Sequence, residues 1–182
     1  MDNKAFQKIY TLTFVTMHIE TNLDTIGILS NQKEKENDRF VNFLKEIDGD
    51  EVDEQVFALN NVIAPQINCT TCGNCCKSLM VNINDEEADN LSAHLQMPRK
   101  IFDEKFIERG SSMMILNSIP CHFLVENKCS VYEYRFEGCK EFPALHLPLF
   151  NRRLFTVFMH YGRCPIIFNV VEALKERLDF EL

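Results

Sequence analysis

Four of the chain's eight cysteines fall within the stretch Cys-Thr-Thr-Cys-Gly-Asn-Cys-Cys, from residue 69 to residue 76. Two residues between thiols allow a tight turn to direct both sulfurs at one ion, and Gly73 permits the positive φ that such a turn often uses. Thiolates are the ligands that zinc and iron–sulfur clusters share. The doubled Cys-x-x-Cys spacing of Cys69, Cys72 and Cys75 therefore predicts a metal site.

The remaining cysteines all lie downstream of this stretch, and the first 68 residues contain none. They are Cys121, Cys129, Cys139 and Cys164. Disulfides are rare in the cytosol, where we expect the protein, and a thioredoxin-like redox pair needs a βαβ pattern that the sequence lacks. We therefore interpret all eight cysteines as metal ligands.

The adjacent pair Cys75-Cys76 bears on how the eight thiols are divided. Side chains of neighbouring residues diverge, by about 100° in a helix and to opposite faces in a strand. We expect one member of the pair to share a site with Cys69, Cys72 and one downstream cysteine. The other member would join the remaining three. The alternative is a single site with the spare thiols beside it.

The cysteine pattern resembles the CxxCxxCC cysteine-cluster family, which is described as zinc- or iron-chelating and is related to the flagellin lysine N-methylases. The resemblance continues through PCHFLVENKCSVYEYRFEGCKEFP, residues 120 to 143. The family's positions there fall on Cys121, Phe123-Leu124, Cys129, Val131-Tyr132, Arg135, Cys139 and Phe142-Pro143. A late cysteine is also usual, and Cys164 matches it, so the likeness covers about residues 69 to 165. Phe136 and His122 stand where proline is common in the family.

The resemblance implies metal binding, and most members of the family have no assigned reaction. Cys-x-x-Cys-x-x-Cys with a remote Cys-Pro, here Cys164-Pro165, is similar to the ligand pattern of bacterial ferredoxins. A four-cysteine zinc site uses the same residue types. We therefore expect an iron–sulfur cluster or zinc, and the sequence does not separate the two.

Other polar side chains near the cysteines are candidates for supporting roles. His122 follows Cys121, and His160 precedes Cys164 by four residues, so each is placed to join a metal or donate to a thiolate. With eight cysteines present, we interpret both histidines as lying outside the ligand set. Arg135 either bonds to carbonyl or acidic groups or neutralises thiolate charge. The sequence contains no glycine-rich phosphate loop, nucleophile elbow or nucleotide fingerprint.

Composition limits the partners. The 182 residues carry a net charge of −8, so electrostatics give no reason to expect nucleic acid as a partner. No stretch approaches the roughly 20 apolar residues of a membrane span. The N-terminus lacks the basic region and apolar run of a signal peptide. We therefore expect a cytoplasmic protein without a membrane partner.

Apolar residues at helical spacing predict three helices before the cysteines. The stripes are Ala5, Ile9, Leu12, Thr16, Ile19, Leu23 and Ile26; Phe40, Val41, Leu44 and Ile47; and Val52, Val56, Leu59 and Ile63. Asp48-Gly49-Asp50 ends the second helix, and Pro65 ends the third.

Short strands and helices are predicted after residue 76. The strands are expected at residues 79–83, 113–116 and 123–125. Asn84 and Glu87 form a capping-box pattern, and Pro98 begins a helix with Ile101, Phe102 and Phe106 inward. Further helices are expected from Tyr132 to just before Pro143, around Leu154 to Phe158, and from Ile166 to Leu174.

The predicted class is mainly α with small β-hairpin elements (α+β). We expect an N-terminal helical segment at residues 1–68 and a cysteine-cluster metal-binding domain with C-terminal helices at residues 69–182. Three functional classes stay open: a metal-binding module, a redox or methyl-transfer enzyme with an iron–sulfur cluster, and a protein whose N-terminal helices bind a partner beside a structural metal.

Overall fold

The structure is a computed structural model that describes residues 18–181. Within these residues, three helices precede the cysteines: α1 (Leu23–Gln32), α2 (Glu34–Glu46) and α3 (Gly49–Ile63). Asp48 caps α3, and a 3₁₀ turn that contains Pro65 follows it. The second and third predicted helices are thus confirmed.

The first helix begins later than its apolar stripe predicted. Asn22 accepts hydrogen bonds from the amides of Asp24 and Thr25, at 2.9 and 3.0 Å, and starts α1 at Leu23. Residues 18–22 are not helical; Glu20 exchanges two hydrogen bonds with the side chain of Asn169. Ala5, Ile9, Leu12 and Thr16 lie outside the described residues.

The cysteine-rich region alternates short helices and strands. The elements are α4 (Cys69–Cys72), α5 (Asn74–Ser78), β1 (Asn82–Ile83), α6 (Asp85–His94), α7 (Arg99–Phe106), β2 (Ile107–Arg109), β3 (Met114–Leu116), β4 (Leu124–Val125), β5 (Lys128–Cys129) and α8 (Glu137–Glu141). The chain then forms α9 (Leu154–Met159) and α10 (Pro165–Arg177). The first three strands make an antiparallel sheet in the order β1-β3-β2, and β4 and β5 form a hairpin. The mainly α class with small β elements is confirmed.

Two details of the sequence prediction are wrong. Ile101 is 47 % exposed, because α7 turns Phe102 and Phe106 inward instead. The helix predicted from Tyr132 is divided into a 3₁₀ turn and α8, since the backbone is extended at Arg135 and Phe136. That break buries the Phe136 ring in the neighbouring core. By contrast, the capping box of Asn84 with Glu87 is present.

Buried apolar side chains form two clusters. The helical core joins α1, α2 and α3 to α9 and α10, and includes Phe40, Val56 and Ile167. The mixed core joins α6 and α7 to the three-stranded sheet, and includes Phe102 and Phe123. The division into residues 1–68 and 69–182 stays a prediction.

A buried ion network ties α2 to α10. Lys175 is 5 % exposed, and its Nζ lies 2.8 Å from Glu36 and 2.7 Å from Glu172. Lys33 approaches Glu172 at 2.6 Å, and the Tyr161 hydroxyl donates to the same carboxylate at 2.7 Å. Burial alone raises the pKa of Glu172, but hydrogen bonds from Lys175, Lys33 and Tyr161 outweigh it and lower the pKa.

Candidate metal centre

All eight cysteines line one cavity of about 500 Å³, although they span residues 69 to 164 of the chain. All eight are free thiols. Three segments supply them: the turn formed by α4 and α5, the residues from 121 to 139, and the start of α10. Long-range folding therefore gathers the residues that the sequence singled out.

Gly73 fixes the turn that carries the first four cysteines. Its φ is +59°, and a Cβ at this position would lie 2.6 Å from the carbonyl oxygen of Asn127. Glycine is required on both counts, since a side chain there disfavours positive φ and collides with backbone. The α4–α5 turn is therefore packed directly on the loop between β4 and β5.

Backbone hydrogen bonds attach the other segments to this turn. The Cys121 amide donates to the Cys76 carbonyl at 2.8 Å. The Asn74 side-chain amide donates to the Arg163 carbonyl at 2.7 Å, next to Cys164. Cys164 is buried and is the N-cap residue of α10. Sequence reasoning did not single out Asn74, because nothing local relates it to a residue 89 positions away.

The adjacent sulfurs of Cys75 and Cys76 lie 4.0 Å apart. Two thiolates on one tetrahedral zinc ion are about 3.8 Å apart, given Zn–S bonds of roughly 2.3 Å. The two sulfurs are thus close together, although the side chains of adjacent residues were expected to diverge. This distance does not assign the pair to two different ions.

The contact between the two sulfurs shifts the pKa values of Cys75 and Cys76 in opposite directions. A hydrogen bond from the Cys76 thiol lowers the pKa of Cys75 to about 6. The pKa of Cys76 is raised, because its proton is held in that hydrogen bond and because its sulfur is buried beside other thiols. One proton therefore leaves the pair readily, and the second is retained.

Burial raises the pKa of four further thiols of the cavity, Cys69, Cys121, Cys139 and Cys164. It raises the pKa of Cys139 and of Cys164 to about 12, with nearby thiolates adding to the effect. The thiolates that act on Cys164 belong to Cys69 and Cys75, and the charge of Cys75 also acts on Cys139. The charge of Cys75 therefore acts on a thiol of the second segment, Cys139, and on the thiol at the start of α10, Cys164.

Arg135 faces the thiols. Its guanidinium stacks on the Tyr132 ring at 3.7 Å and donates to the Tyr132 carbonyl at 3.0 Å. Burial raises the pKa of Cys69 and of Cys139, and the positive charge of Arg135 opposes that rise at both. The hydrogen bond to the Tyr132 carbonyl confirms the first interpretation of Arg135, and its charge effect on the two thiols supports the second as well.

The two histidines occupy different environments. His122 is exposed, is absent from the cavity wall, and places its Nε2 2.6 Å from the Asn117 side-chain oxygen. His160 is 7 % exposed, lines the cavity, and packs edge-on against Phe142 with ring centroids 5.3 Å apart. Burial and the charge of Arg163 lower the pKa of His160, which favours a neutral imidazole.

The side chains surround the cavity without forming a coordination shell. Among residues 18–181, no group of three or more His, Cys, Asp or Glu side chains is placed to hold a metal ion. The donor types nevertheless fit zinc or an iron–sulfur cluster, because every cysteine is free and faces the same space.

A family model matches residues 68–163, just over half of the chain, and it describes the CxxCxxCC family as a "putative zinc- or iron-chelating domain". The chain belongs to the CxxCxxCC family. The match includes seven of the eight cysteines and ends one residue before Cys164. No curated protein and no solved structure matches the chain.

The CxxCxxCC domain is thus a member of a family described by metal chelation, and its cysteines converge on one cavity. None of the helices in the part of the chain that the structure describes has the length and apolar character needed to cross a membrane. The cavity wall also includes Met80 and Ile67, which no ligand pattern in the sequence indicated.

Proposed function

We propose that this CxxCxxCC protein binds metal through the thiolates around the cavity, and that the metal ties the α4–α5 turn to the β4–β5 hairpin and to α10. The ligands would be Cys69, Cys72, Cys75, Cys76, Cys121, Cys129, Cys139 and Cys164. The observation that carries this proposal is the convergence of all eight thiols on one cavity from three separate segments.

Two thiol groups meet at the adjacent pair in this proposal. Cys69, Cys72 and Cys164 form the first group, since Cys69 and Cys72 share the short helix α4 and the charge of Cys69 raises the pKa of Cys164. Cys121, Cys129 and Cys139 form the second, since they act on one another. Cys75 and Cys76 lie between the groups.

The surroundings of the thiols favour bound, deprotonated sulfur. Burial makes free thiolates costly, so a cation that replaces the protons would stabilise the folded state. Arg135 offsets part of the negative charge. The backbone amides of Ile166 and Ile167, at the start of α10, also stabilise a thiolate on Cys164. The centre is proposed to be cytoplasmic, where free thiols persist.

The metal is proposed to be zinc or iron held in an iron–sulfur cluster. The 4.0 Å distance between the Cys75 and Cys76 sulfurs is close to the spacing on one tetrahedral ion. The cavity volume of about 500 Å³ instead favours a larger occupant than single ions. It exceeds the space that isolated ions need and falls within the range of small-molecule sites, roughly 300–1,000 Å³. That volume favours the second candidate function, a redox or methyl-transfer enzyme whose cluster adjoins a substrate.

Anaerobic purification under reducing conditions, followed by metal analysis and a visible spectrum, tests the proposal. Bound zinc without visible absorption supports a structural module, whereas a brown protein bleached by dithionite supports the redox enzyme. Cys121→Ser and Cys139→Ser should each lower the metal content, and Lys77→Ala, an exposed change beside Cys76, should not. A wild-type protein that retains neither metal and takes up neither zinc nor iron with sulfide would contradict the proposal.

A further inference from the structure

His160 has a buried ring nitrogen without a partner. Three buried side-chain atoms in residues 18–181 lack a hydrogen-bond partner, and the Nδ1 of His160 is the one whose residue lines the cysteine cavity. A buried polar atom that is left unsatisfied destabilises the folded state, and in native proteins a water molecule or an ion commonly binds to such an atom. The nitrogen is therefore an unpartnered donor atom on a residue that shares the cavity wall with the eight cysteines.

The position of the ring is fixed by its neighbours. Phe142 packs edge-on against it, with ring planes at 80°. The Cys164 amide donates to the His160 carbonyl at 3.0 Å, which closes one helical turn between them. His160 and Cys164 thus lie at the two ends of one turn between α9 and α10, and both line the cavity.

The spacing of these donors matches that of structural metal sites. Cys69 and Cys72 have two residues between them, and His160 and Cys164 have three. Structural zinc sites combine a Cys-x₂₋₄-Cys pair with a second pair separated by three to five residues, and Cys₃His is a common ligand set. Asn74 holds the two pairs together through its hydrogen bond to the Arg163 carbonyl.

We propose that the Nδ1 of His160 is a metal ligand that completes a Cys₃His set with Cys69, Cys72 and Cys164. This inference rests on the proposed function and names a ninth donor for it. The second thiol group then holds five thiols, one more than a four-coordinate ion binds: Cys121, Cys129 and Cys139, with the adjacent Cys75 and Cys76. Their 4.0 Å separation agrees with that assignment, because both sulfurs can reach one ion.

Cobalt(II) binding to the full-length, metal-stripped and reduced protein tests the assignment. The d–d bands of tetrahedral Co²⁺ move to shorter wavelength when an imidazole replaces a thiolate, so they report the ligand set directly. The variants are His160→Ala and His160→Cys, the second of which restores a four-thiolate set. His146→Ala is the matched control, since His146 is exposed and absent from the cavity wall.

The expected result has three parts. His160→Ala weakens one class of Co²⁺ site by more than the 10- to 100-fold that loss of an outer-shell partner causes. His160→Cys retains that site, and its bands move to longer wavelength. His146→Ala matches wild type.

Other outcomes separate the two proposals. Unchanged bands in His160→Cys, with or without a change in affinity, would show that His160 is not a ligand and would overturn this inference alone. Failure of wild-type protein to bind Co²⁺ would overturn this inference, and the proposed function would fall only if the protein also takes up neither zinc nor iron with sulfide. His160→Cys keeps the test valid even if His160→Ala fails to fold, which circular dichroism would reveal.

Discussion

The side chain of Asn74 donates a 2.7 Å hydrogen bond to the carbonyl oxygen of Arg163, and so joins the first cysteine turn to the residue before Cys164. Replacing Asn74 with Asp keeps the shape of the side chain and removes the donor. We expect Asn74→Asp to lower metal affinity by about 10-fold, as for other outer-shell partners. Competition with a chromophoric chelator measures the change, and Asn90→Asp, at an exposed position of α6 that is absent from the cavity wall, is the control.

Gly73→Ala is expected to destabilise the protein. The residue has a φ of +59°, and its new Cβ would meet the Asn127 carbonyl oxygen at 2.6 Å. Positive φ alone costs about 1–2 kcal/mol for a residue other than glycine, and the collision adds to it. Gly27→Ala, in α1, has nothing within 4 Å of the new Cβ and should be neutral or slightly stabilising. Urea unfolding of both variants gives the comparison; equal stabilities would show that the turn does not need glycine.

In the metal-free protein, we expect Cys75 to be alkylated before Cys164. Its pKa is lowered to about 6 by the hydrogen bond from Cys76, whereas burial raises that of Cys164 to about 12. At pH 7 Cys75 is therefore largely thiolate, the reactive form. Mass spectrometry after brief iodoacetamide treatment should show Cys75 modified before Cys164, with a rate that falls as the pH drops below about 6. Cys76→Ala, which removes the hydrogen bond, should raise the pH at which the rate falls.

Cys164→Ser separates the role of the sulfur in metal binding from its role at the start of a helix. Cys164 is the N-cap of α10, and serine is a better N-cap residue than cysteine. The substitution should therefore preserve or improve the start of α10 while removing a ligand. We expect lower metal content and faster hydrogen exchange across residues 166–178. Wild-type metal content in this variant would make Cys164 an ordinary buried thiol.

Glu172→Gln should reduce stability near neutral pH and have little effect in acid. The pKa of Glu172 is lowered in the folded state, so its ionised form stabilises the fold above the usual value of 4.5, and that stabilisation is lost as the pH falls through the folded pKa. The cost at pH 7 should be about 1–3 kcal/mol, because Lys175 loses a charged partner. Urea unfolding at pH 7 and pH 3.5 measures the difference. Glu176→Gln, exposed on the same helix, is the control.

The sequence predicted the helices with strong apolar periodicity and the residue types of the site. α2, α3 and α10 were expected from their stripes, and the eight thiols from their spacing. The division near Phe136 was not predictable, since burial of that ring in the mixed core overrides the local helical pattern. The start of α1 depends on Asn22, which caps the helix. The apolar stripe, which extends further towards the N-terminus, predicted an earlier start.

The geometry within the site was less accessible to sequence reasoning. The burial of His160 depends on Phe142 and on the helical core, neither of which its own neighbours in the chain reveal. The His-x₃-Cys spacing is visible in the sequence, but the presence of eight cysteines favoured placing His160 outside the ligand set. The contact between the Cys75 and Cys76 sulfurs depends on side-chain rotation, which the general divergence of adjacent Cβ directions does not fix.

The cavity lies where the two apolar cores meet: Cys164 belongs to the helical core, while Cys121, Cys129 and Cys139 pack against the mixed core. Each core is a continuous cluster of buried side chains, so we expect each to unfold as a separate cooperative unit. Metal bound at both thiol groups would join the two units thermodynamically through the α4–α5 turn, which supplies cysteines to each group, because neither unit could then unfold without releasing metal. Metal loading in this protein would therefore decide how many independent folding transitions the chain has, and partial unfolding of one half would be the natural route by which the metal leaves.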